Sequence, residues 1–93
     1  SDKIRIIKFA IEKNKLTLSS ASNDTGSASE ELEIVYNNDE HMEIGFNARY
    51  LLEMLSQIKG DKVQFSLMNG TSPTLVKDHS DDSITYVIMP MRV

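Results

Sequence analysis

The sequence predicts an α+β domain in which antiparallel strands surround a single helix. Apolar and polar residues alternate in several short segments, and this period of two is typical of half-buried strands. Only residues 48–58 show the apolar spacing of an amphipathic helix. The chain has 93 residues, which is enough for one modest core, so we expect residues 1–93 to form a single domain.

Four strands are predicted before the helix. They cover residues 4–12, 16–18, 31–37 and 42–46. Asn14 marks a turn between the first two strands, and the polar residues 19–29 predict a loop before the third. The alternation turns Ile7, Phe9 and Ile11 to the same face of the first strand.

The helix is predicted to begin after Asn47. The side-chain oxygen of this residue can accept hydrogen bonds from the free N–H groups of the first turn. The apolar side of the helix is formed by Leu51, Leu55 and Ile58, flanked by Leu52 and Met54. Gly60 is predicted to end the helix in a left-handed conformation.

Three more strands are predicted after the helix. They cover residues 63–67, 74–77 and 84–88. Asn69-Gly70 is a hairpin turn signal, Pro73 places the next strand near a sheet edge, and residues 78–83 predict a polar turn.

The order of predicted elements suggests an internal repeat. Residues 4–37 and 62–89 both follow the order strand, turn, strand, loop, strand, and only the second copy is preceded by a strand and a helix. Two βαβββ units, with the first strand and helix of the first unit missing, account for this asymmetry.

Composition excludes several classes of function. The net charge is −4 and the lysines and arginines are scattered, so we do not expect tight DNA binding by this chain alone. The chain has no cysteine, which rules out disulfides, thiolate metal sites and thiol catalysis within it and fits a reducing cytosol. No apolar run approaches the roughly 20 residues of a membrane span, so we expect no membrane insertion.

Candidate catalytic and metal-binding motifs have weak sequence support. Asp24-Thr25-Gly26 matches the motif of aspartic proteases, but its polar flanks favour a loop tip over the required buried strand end. His41 has no neighbour in the sequence that would make it a base. We therefore predict no catalytic residue, cofactor or metal, and no enzymatic activity.

Two acidic clusters have simple structural interpretations. One contains Asp78, His79, Asp81 and Asp82. Its spacing fits no metal motif, and a solvated turn is the favoured interpretation. The other contains Glu30, Glu31 and Glu33, which are interpreted as an exposed strand edge that opposes aggregation.

The C-terminal residues form the strongest candidate binding surface. Two methionines flank Pro90, and Arg92 adds a polar group next to them. Methionine is flexible and is frequent on surfaces that bind several partners. With Tyr50, Tyr86 and Val87, these residues could form a peptide-binding groove, while the alternatives are a frayed terminus and an ordinary edge of the core.

Three separated motifs resemble one known family. Residues 86–93 read Tyr-Val-Ile-Met-Pro-Met-Arg-Val, residues 42–52 contain Ile-Gly-Phe-Asn-Ala-Arg-Tyr-Leu, and Ser72-Pro73 precedes the penultimate strand. Their order and spacing resemble the bacterial DNA polymerase III beta subunit, the sliding-clamp family. The terminal Val93 is a mild departure, because leucine is common there in the family.

The resemblance implies a DNA-clamp fold and a processivity function. Clamp protomers have three similar domains of two βαβββ units each, and residues 1–93 would be an incomplete third, C-terminal domain. Two protomers form a ring around duplex DNA and tether the DNA polymerase III catalytic subunit, the clamp loader and repair proteins. The expected location is the cytoplasm.

The resemblance also implies site residues. The groove that binds linear motifs of the Gln-Leu-x-Leu-Phe type would use Asn47, Tyr50, Thr71, Pro73, Val87, Met89, Pro90, Met91 and Arg92. The side facing the DNA channel would carry Arg49, Lys59 and Lys62. The residues themselves leave open an alternative, a β-rich protein-interaction module unrelated to clamps.

Overall fold

The computed structural model describes residues 5–20, 29–33, 35 and 40–92. In chain order its elements are β1 (Ile6–Glu12), β2 (Lys15–Ser20), β3 (Ser29–Glu33), β4 (Met42–Asn47), α1 (Ala48–Leu55), β5 (Val63–Ser66), β6 (Thr74–Asp78) and β7 (Asp81–Ile88). The predicted α+β class is confirmed. In the described ranges, no helix is long and apolar enough to cross a membrane.

The strands form two antiparallel sheets. The first sheet has the order β3-β2-β1-β4, and the second has the order β5-β6-β7. Consecutive strands pair in both β1-β2-β3 and β5-β6-β7, so the two halves repeat the same meander as predicted. β4 lies beside β1 and leads directly into α1.

The β1–β2 turn has the predicted position. Glu12 pairs with Lys15, which leaves Lys13 and Asn14 as the turn. Asn14 has a φ of 57°, a left-handed conformation that asparagine adopts more readily than most residues.

The core joins both sheets and the helix. Its buried apolar side chains are Phe9, Ile11, Ile44, Phe46, Leu51, Met54, Val76 and Ile88. The rings of Phe9 and Phe46 meet edge to face at 5.1 Å, and the ring of Phe65 lies 5.7 Å and 6.3 Å from them. Since Phe65 belongs to β5, these aromatic contacts hold the second sheet against the first.

The helix is shorter than predicted. α1 ends at Leu55, and Ser56 follows in a right-handed conformation. Gly60 is not a left-handed helix stop, because its backbone lies outside that region and four residues separate it from the helix end. Leu52 was expected beside the core and is instead 60 % exposed.

Two predictions about the second sheet are wrong. β6 is its central strand, not an edge strand. Pro73 permits this position because it precedes the first paired residue, Thr74, so its missing N–H removes no hydrogen bond between strands. Asn69-Gly70 does not form a two-residue hairpin, because residues 67–73 all lie between β5 and β6.

Several boundaries also differ from the predictions. Ser19, Ser20 and Ser29 belong to strands, and β7 begins at Asp81 rather than at residue 84. The predicted loop at residues 21–28 lies outside the described part of the chain, and so do residue 34 and residues 36–39 of the third predicted strand and its turn.

Candidate functional site

Three segments that are distant in the sequence meet along β4. The N–H of Met91 donates to the carbonyl of Gly45 at 2.7 Å, on the edge of β4 that β1 leaves open. A Cβ on Gly70 would lie 3.3 Å from the carbonyl oxygen of Glu43, so the β5–β6 loop reaches the same strand. Asn47 ends the strand. Residues two apart lie about 7 Å apart along a strand, so the three segments are neighbours.

The first segment is the start of α1, which Asn47 fixes. Its Oδ1 accepts hydrogen bonds from the N–H groups of Arg49 at 2.9 Å and Tyr50 at 3.2 Å, which confirms the predicted cap. The N–H of Ala48 donates to the carbonyl of Arg5 at 2.8 Å. These bonds fix the direction in which α1 leaves β4 and leave the Tyr50 side chain 61 % exposed on the first turn.

The second segment is the β5–β6 loop, which a side chain outside the predicted site organises. Oδ1 of Asn69 accepts from the N–H and hydroxyl of Thr71 at 2.9 and 3.0 Å, and from the N–H of Ser72 at 2.7 Å. The predicted site residues Thr71 and Pro73 are both exposed on this loop. The Asn-Gly sequence was a usable signal for a turn here, but it did not indicate this hydrogen bonding.

The third segment is the end of β7 and the residues that follow it. Val87 pairs with Leu75, and Ile88 pairs with Thr74. Met89 therefore lies just after the last paired residue of β7, and Pro73 lies just before the first paired residue of β6. Val87 and Met89 are 62 % and 57 % exposed, whereas Ile88 is buried. Leu75 is also exposed beside Val87, and it was not predicted because strand register cannot be read from one strand alone.

The predicted groove residues therefore share one region of the molecule, which we call the β4-edge surface. It comprises Asn47, Tyr50, Thr71, Pro73, Leu75, Val87, Met89, Pro90, Met91 and Arg92. Pro90 and Met91 are half-buried and Arg92 is exposed. The hydrogen bond to Gly45 argues against a frayed terminus, because it joins the tail to the first sheet. Val93 lies outside the described residues.

The three cations predicted to face the DNA channel are exposed, but their surroundings differ. Arg49 pairs with Glu53 on the next turn of α1, with 3.4 Å between Nε and Oε1. Lys59 and Lys62 lie on the segment after α1, where the N–H of Lys59 donates to Asp78 at 2.8 Å and the carbonyl of Lys62 accepts from His79 at 3.0 Å.

Asp78 is a buried anchor, which corrects its interpretation as part of a solvated turn. Its Oδ2 accepts from the N–H groups of Lys59 and Gly60, and its Oδ1 accepts from the N–H and hydroxyl of Ser80. The Ser80 hydroxyl, more than these N–H groups, holds the pKa of Asp78 far below its usual range. Among the residues that the structure describes, no three His, Asp or Glu side chains are arranged to hold a metal ion.

His41 has partners that its sequence neighbourhood did not predict. Its Nε2 lies 3.2 Å from Oε2 of Glu43, and its Nδ1 lies 4.0 Å from Oε2 of Glu12. Glu12 is distant in sequence but sits on the neighbouring strand. An open depression of about 360 Å³ is lined here by Glu12, Lys13, Lys15 and His41, none of which belongs to the β4-edge surface.

Two other candidate clusters cannot be placed. The aspartic protease motif at residues 24–26 lies outside the described part of the chain, and so do the side chains of Glu30, Glu31 and Glu33.

Comparison with known proteins identifies the family. Residues 1–92 match the family model described as DNA polymerase III beta subunit, C-terminal domain. The chain belongs to this family. The resemblance drawn from the three sequence motifs is thereby confirmed, and the alternative of a β-rich module unrelated to clamps is removed.

Full-length relatives are named beta sliding clamps. All 93 residues align with the beta sliding clamp of Caulobacter vibrioides at 44 % identity and with that of Escherichia coli K12 at 32 % identity. In both cases the chain covers 25 % of the relative. This member of the beta subunit family therefore spans about a quarter of the length of the curated relatives it matches.

Solved clamp structures share the fold. The Caulobacter crescentus beta sliding clamp superposes with a TM-score of 0.90 at 43 % identity, over 100 % of this chain and 24 % of that one. The Bartonella birtlesii sliding clamp bound to griselimycin gives a TM-score of 0.90 at 39 % identity, over 100 % and 25 %. The beta subunit chain therefore has the clamp-domain fold predicted for it.

Proposed function

We propose that this chain is the C-terminal domain of a replication processivity factor without catalytic activity of its own. The full-length protein would form a homodimeric ring around duplex DNA in the cytoplasm. It would tether the DNA polymerase III catalytic subunit, the clamp loader and repair proteins. Membership of the beta subunit family supports this proposal.

The β4-edge surface is the observation that carries the tethering role. Tyr50, Val87 and Met89 each expose more than half of their side chains on elements that are fixed to β4 or β6. Exposed apolar groups on rigid elements bind peptide side chains at little entropic cost. A short motif with leucine and phenylalanine matches this surface, and Arg92 can pair with an acidic or polar group at its rim.

In this proposal the surface is one wall of the groove. The resemblance to the clamp family implies that the other wall belongs to a neighbouring domain of the full-length protein. The Bartonella birtlesii clamp bound to griselimycin shows that a relative with this domain binds a ligand. We infer that full binding requires both walls.

A peptide titration tests the groove. A fluorescent Gln-Leu-x-Leu-Phe peptide is titrated against the full-length protein and against a variant that combines Met91→Ala with deletion of residues 92 and 93. We expect the variant to bind at least about tenfold more weakly, which corresponds to about 1.4 kcal/mol of lost contact energy. Equal affinities would contradict the groove assignment.

Ile84→Ala is the matched control for this titration. Ile84 is an apolar residue on the same strand as Val87 and is 48 % exposed, but it lies outside the β4-edge surface. Its replacement should leave peptide affinity unchanged. A loss equal to that of the Met91 variant would indicate general weakening of β7 rather than loss of a binding contact.

If Arg49 and Lys59 face DNA, substitutions at Lys59 and Glu53 should change DNA affinity in opposite directions. Lys59→Ala should weaken binding to primed DNA and lower the salt dependence, because one phosphate contact fewer releases about one counterion fewer. Glu53→Gln should strengthen binding, because it frees Arg49 from its ion pair. Lys77→Ala on β6 is the control for loss of one positive charge. Equal weakening by the two lysine variants would contradict a DNA-facing role for Lys59.

A further inference from the structure

Asn69 combines a reactive sequence with three hydrogen-bond donors at its side-chain oxygen. Asn69-Gly70 is the single Asn-Gly pair in the 93 residues, and it lies on the exposed loop between β5 and β6. The pair does not form the two-residue hairpin expected of it, because the loop is longer. We propose that Asn69 is a site of spontaneous deamidation, activated by the three donors at its side-chain oxygen.

The proposed reaction needs only water. The amide nitrogen of Gly70 gives its proton to solvent and attacks Cγ of Asn69, so that an N–Cγ bond forms and negative charge develops on Oδ1. The Cγ–Nδ2 bond then breaks, and Nδ2 takes up a proton and leaves as ammonia. Water opens the resulting succinimide at Cγ to give aspartate, or at the backbone carbonyl carbon to give isoaspartate. No oxidant or reductant is involved.

The structure favours the charge-building step of this reaction. The two N–H groups and one hydroxyl that donate to Oδ1 lie 2.7 to 3.0 Å from it. Donors placed in advance around an oxygen that becomes negative stabilise the transition state, as they do in an oxyanion hole. Gly70 assists because it has no side chain to hinder its nitrogen.

The two products have different consequences for the loop. Aspartate at position 69 keeps an oxygen that can accept from Thr71 and Ser72, and its charge strengthens those bonds. Isoaspartate adds a backbone methylene and changes the path of residues 70–73. The chemistry at Asn69 does not depend on peptide binding to the β4-edge surface.

Peptide mapping by mass spectrometry tests the proposal. The full-length protein is incubated at neutral pH, both native and unfolded in urea, and deamidation of residue 69 is followed with time. We expect the native rate to exceed the unfolded rate. Asn14 and Asn47, which precede Lys15 and Ala48, serve as slow internal references in the same digest.

Two variants separate activation by the fold from the intrinsic chemistry. Thr71→Val removes the hydroxyl donor, so we expect native deamidation to slow by up to about tenfold with no change in urea; loss of an oxyanion donor in enzymes costs about 10²-fold or more. Gly70→Ala should slow the reaction in both states, because the added methyl hinders the nucleophile. A native rate equal to or below the unfolded rate, or a native rate that Thr71→Val leaves unchanged, would overturn the proposal.

Discussion

Asp78, the last residue of β6, and Asn69, in the loop before β6, both accept hydrogen bonds from backbone N–H groups, but they differ in burial and in reach. Asp78 is 7 % exposed and accepts from Lys59 and Gly60, which precede it by 19 and 18 residues, as well as from Ser80. Asn69 is exposed, and among the described residues it accepts from those two and three positions ahead. Asp78 therefore joins two parts of the fold, whereas Asn69 shapes one loop.

The difference shows when a polar side chain is important for stability. A donor left without its acceptor in a buried place loses hydration as well as the hydrogen bond, while an exposed donor regains a bond to water. The Asp78 bonds also hold the segment that carries Lys59 and Lys62 against the β6–β7 turn. The same local motif thus has different effects in the two places.

Asp78→Ala is the strongest test of this comparison. It leaves the N–H groups of Lys59 and Gly60 without their acceptor in a partly buried place, and we expect the largest loss of stability among substitutions at either end of β6. Native-state hydrogen exchange on the full-length protein should show faster exchange in residues 56–62 and residues 78–83 together. Faster exchange in the β6–β7 turn alone would mean that Asp78 does not link the two segments.

Asp78 and its hydrogen-bond partners Lys59, Gly60 and Ser80 form a contact that we call the Asp78 junction. The sequence could not reveal it, because Gly60 and Lys59 are 18 and 19 residues away from Asp78. Local patterns predicted what depends on near neighbours, namely the strands, the Asn14 turn and the Asn47 cap. They failed at Gly60, whose role is set by contact with Asp78 rather than by the helix. The central position of β6 was missed for the same reason, since sheet order depends on pairing between distant segments.

The candidate site divides in the same way. Residue chemistry suggested Tyr50, Val87 and the C-terminal residues as a possible groove, and the resemblance to the clamp family added Asn47, Thr71 and Pro73. No local pattern indicated that three segments meet along β4. Leu75 was missed because its exposure follows from its pairing with Val87. The alternation of residues in one strand predicts which side chains share a face of that strand. Which side chains of the neighbouring strand lie beside them depends on the pairing register, which one strand does not contain.

Gly60→Ala tests how tightly the Asp78 junction is packed. A Cβ at this position would lie 2.6 Å from Oδ1 of Asp78 and 2.9 Å from Oγ of Ser80, so the junction must open. We expect a loss of about 1–3 kcal/mol, the usual cost of forcing an extra group into a packed site. The measurement is chemical denaturation of the full-length protein.

Gly70→Ala is the matched control in the loop before β6. A Cβ there would lie 3.3 Å from the carbonyl oxygen of Glu43, and the exposed loop can shift slightly to accommodate it. We expect a change within about 0.5 kcal/mol, as for most surface substitutions. Equal losses for the two alanine variants would remove the distinction between the packed junction and the loop.

The pH dependence of stability provides a third test. Because the folded state lowers the pKa of Asp78, the ionised carboxylate stabilises the fold fully above the unfolded value of about 3.9, and this stabilisation is lost as the pH falls below it. Asp78→Asn should be less stable than the wild type at neutral pH, and the difference should shrink below about pH 4.

Asp81→Asn is the control for this acid titration. The pKa of Asp81 is also lowered, mainly by the hydroxyl of Ser83, but Asp81 is exposed and its partner lies two residues away. We expect a smaller change of stability with pH for this variant. A constant difference between wild type and Asp78→Asn across the acid range would show that the Asp78 charge does not contribute.

Asn69→Ala should cause a much smaller loss of stability than Asp78→Ala. Its three donors lie on an exposed loop and can bond to water, so we expect a loss of about 0.5–1 kcal/mol in chemical denaturation. Hydrogen exchange should speed up in residues 69–73 and remain unchanged in residues 56–62. If the exchange of both segments changed, Asn69 would also hold distant parts of the fold, and its difference from Asp78 would be one of degree. An unchanged second segment would instead show that the reach of the hydrogen bonds, rather than their number, decides which side chain links distant segments of the chain.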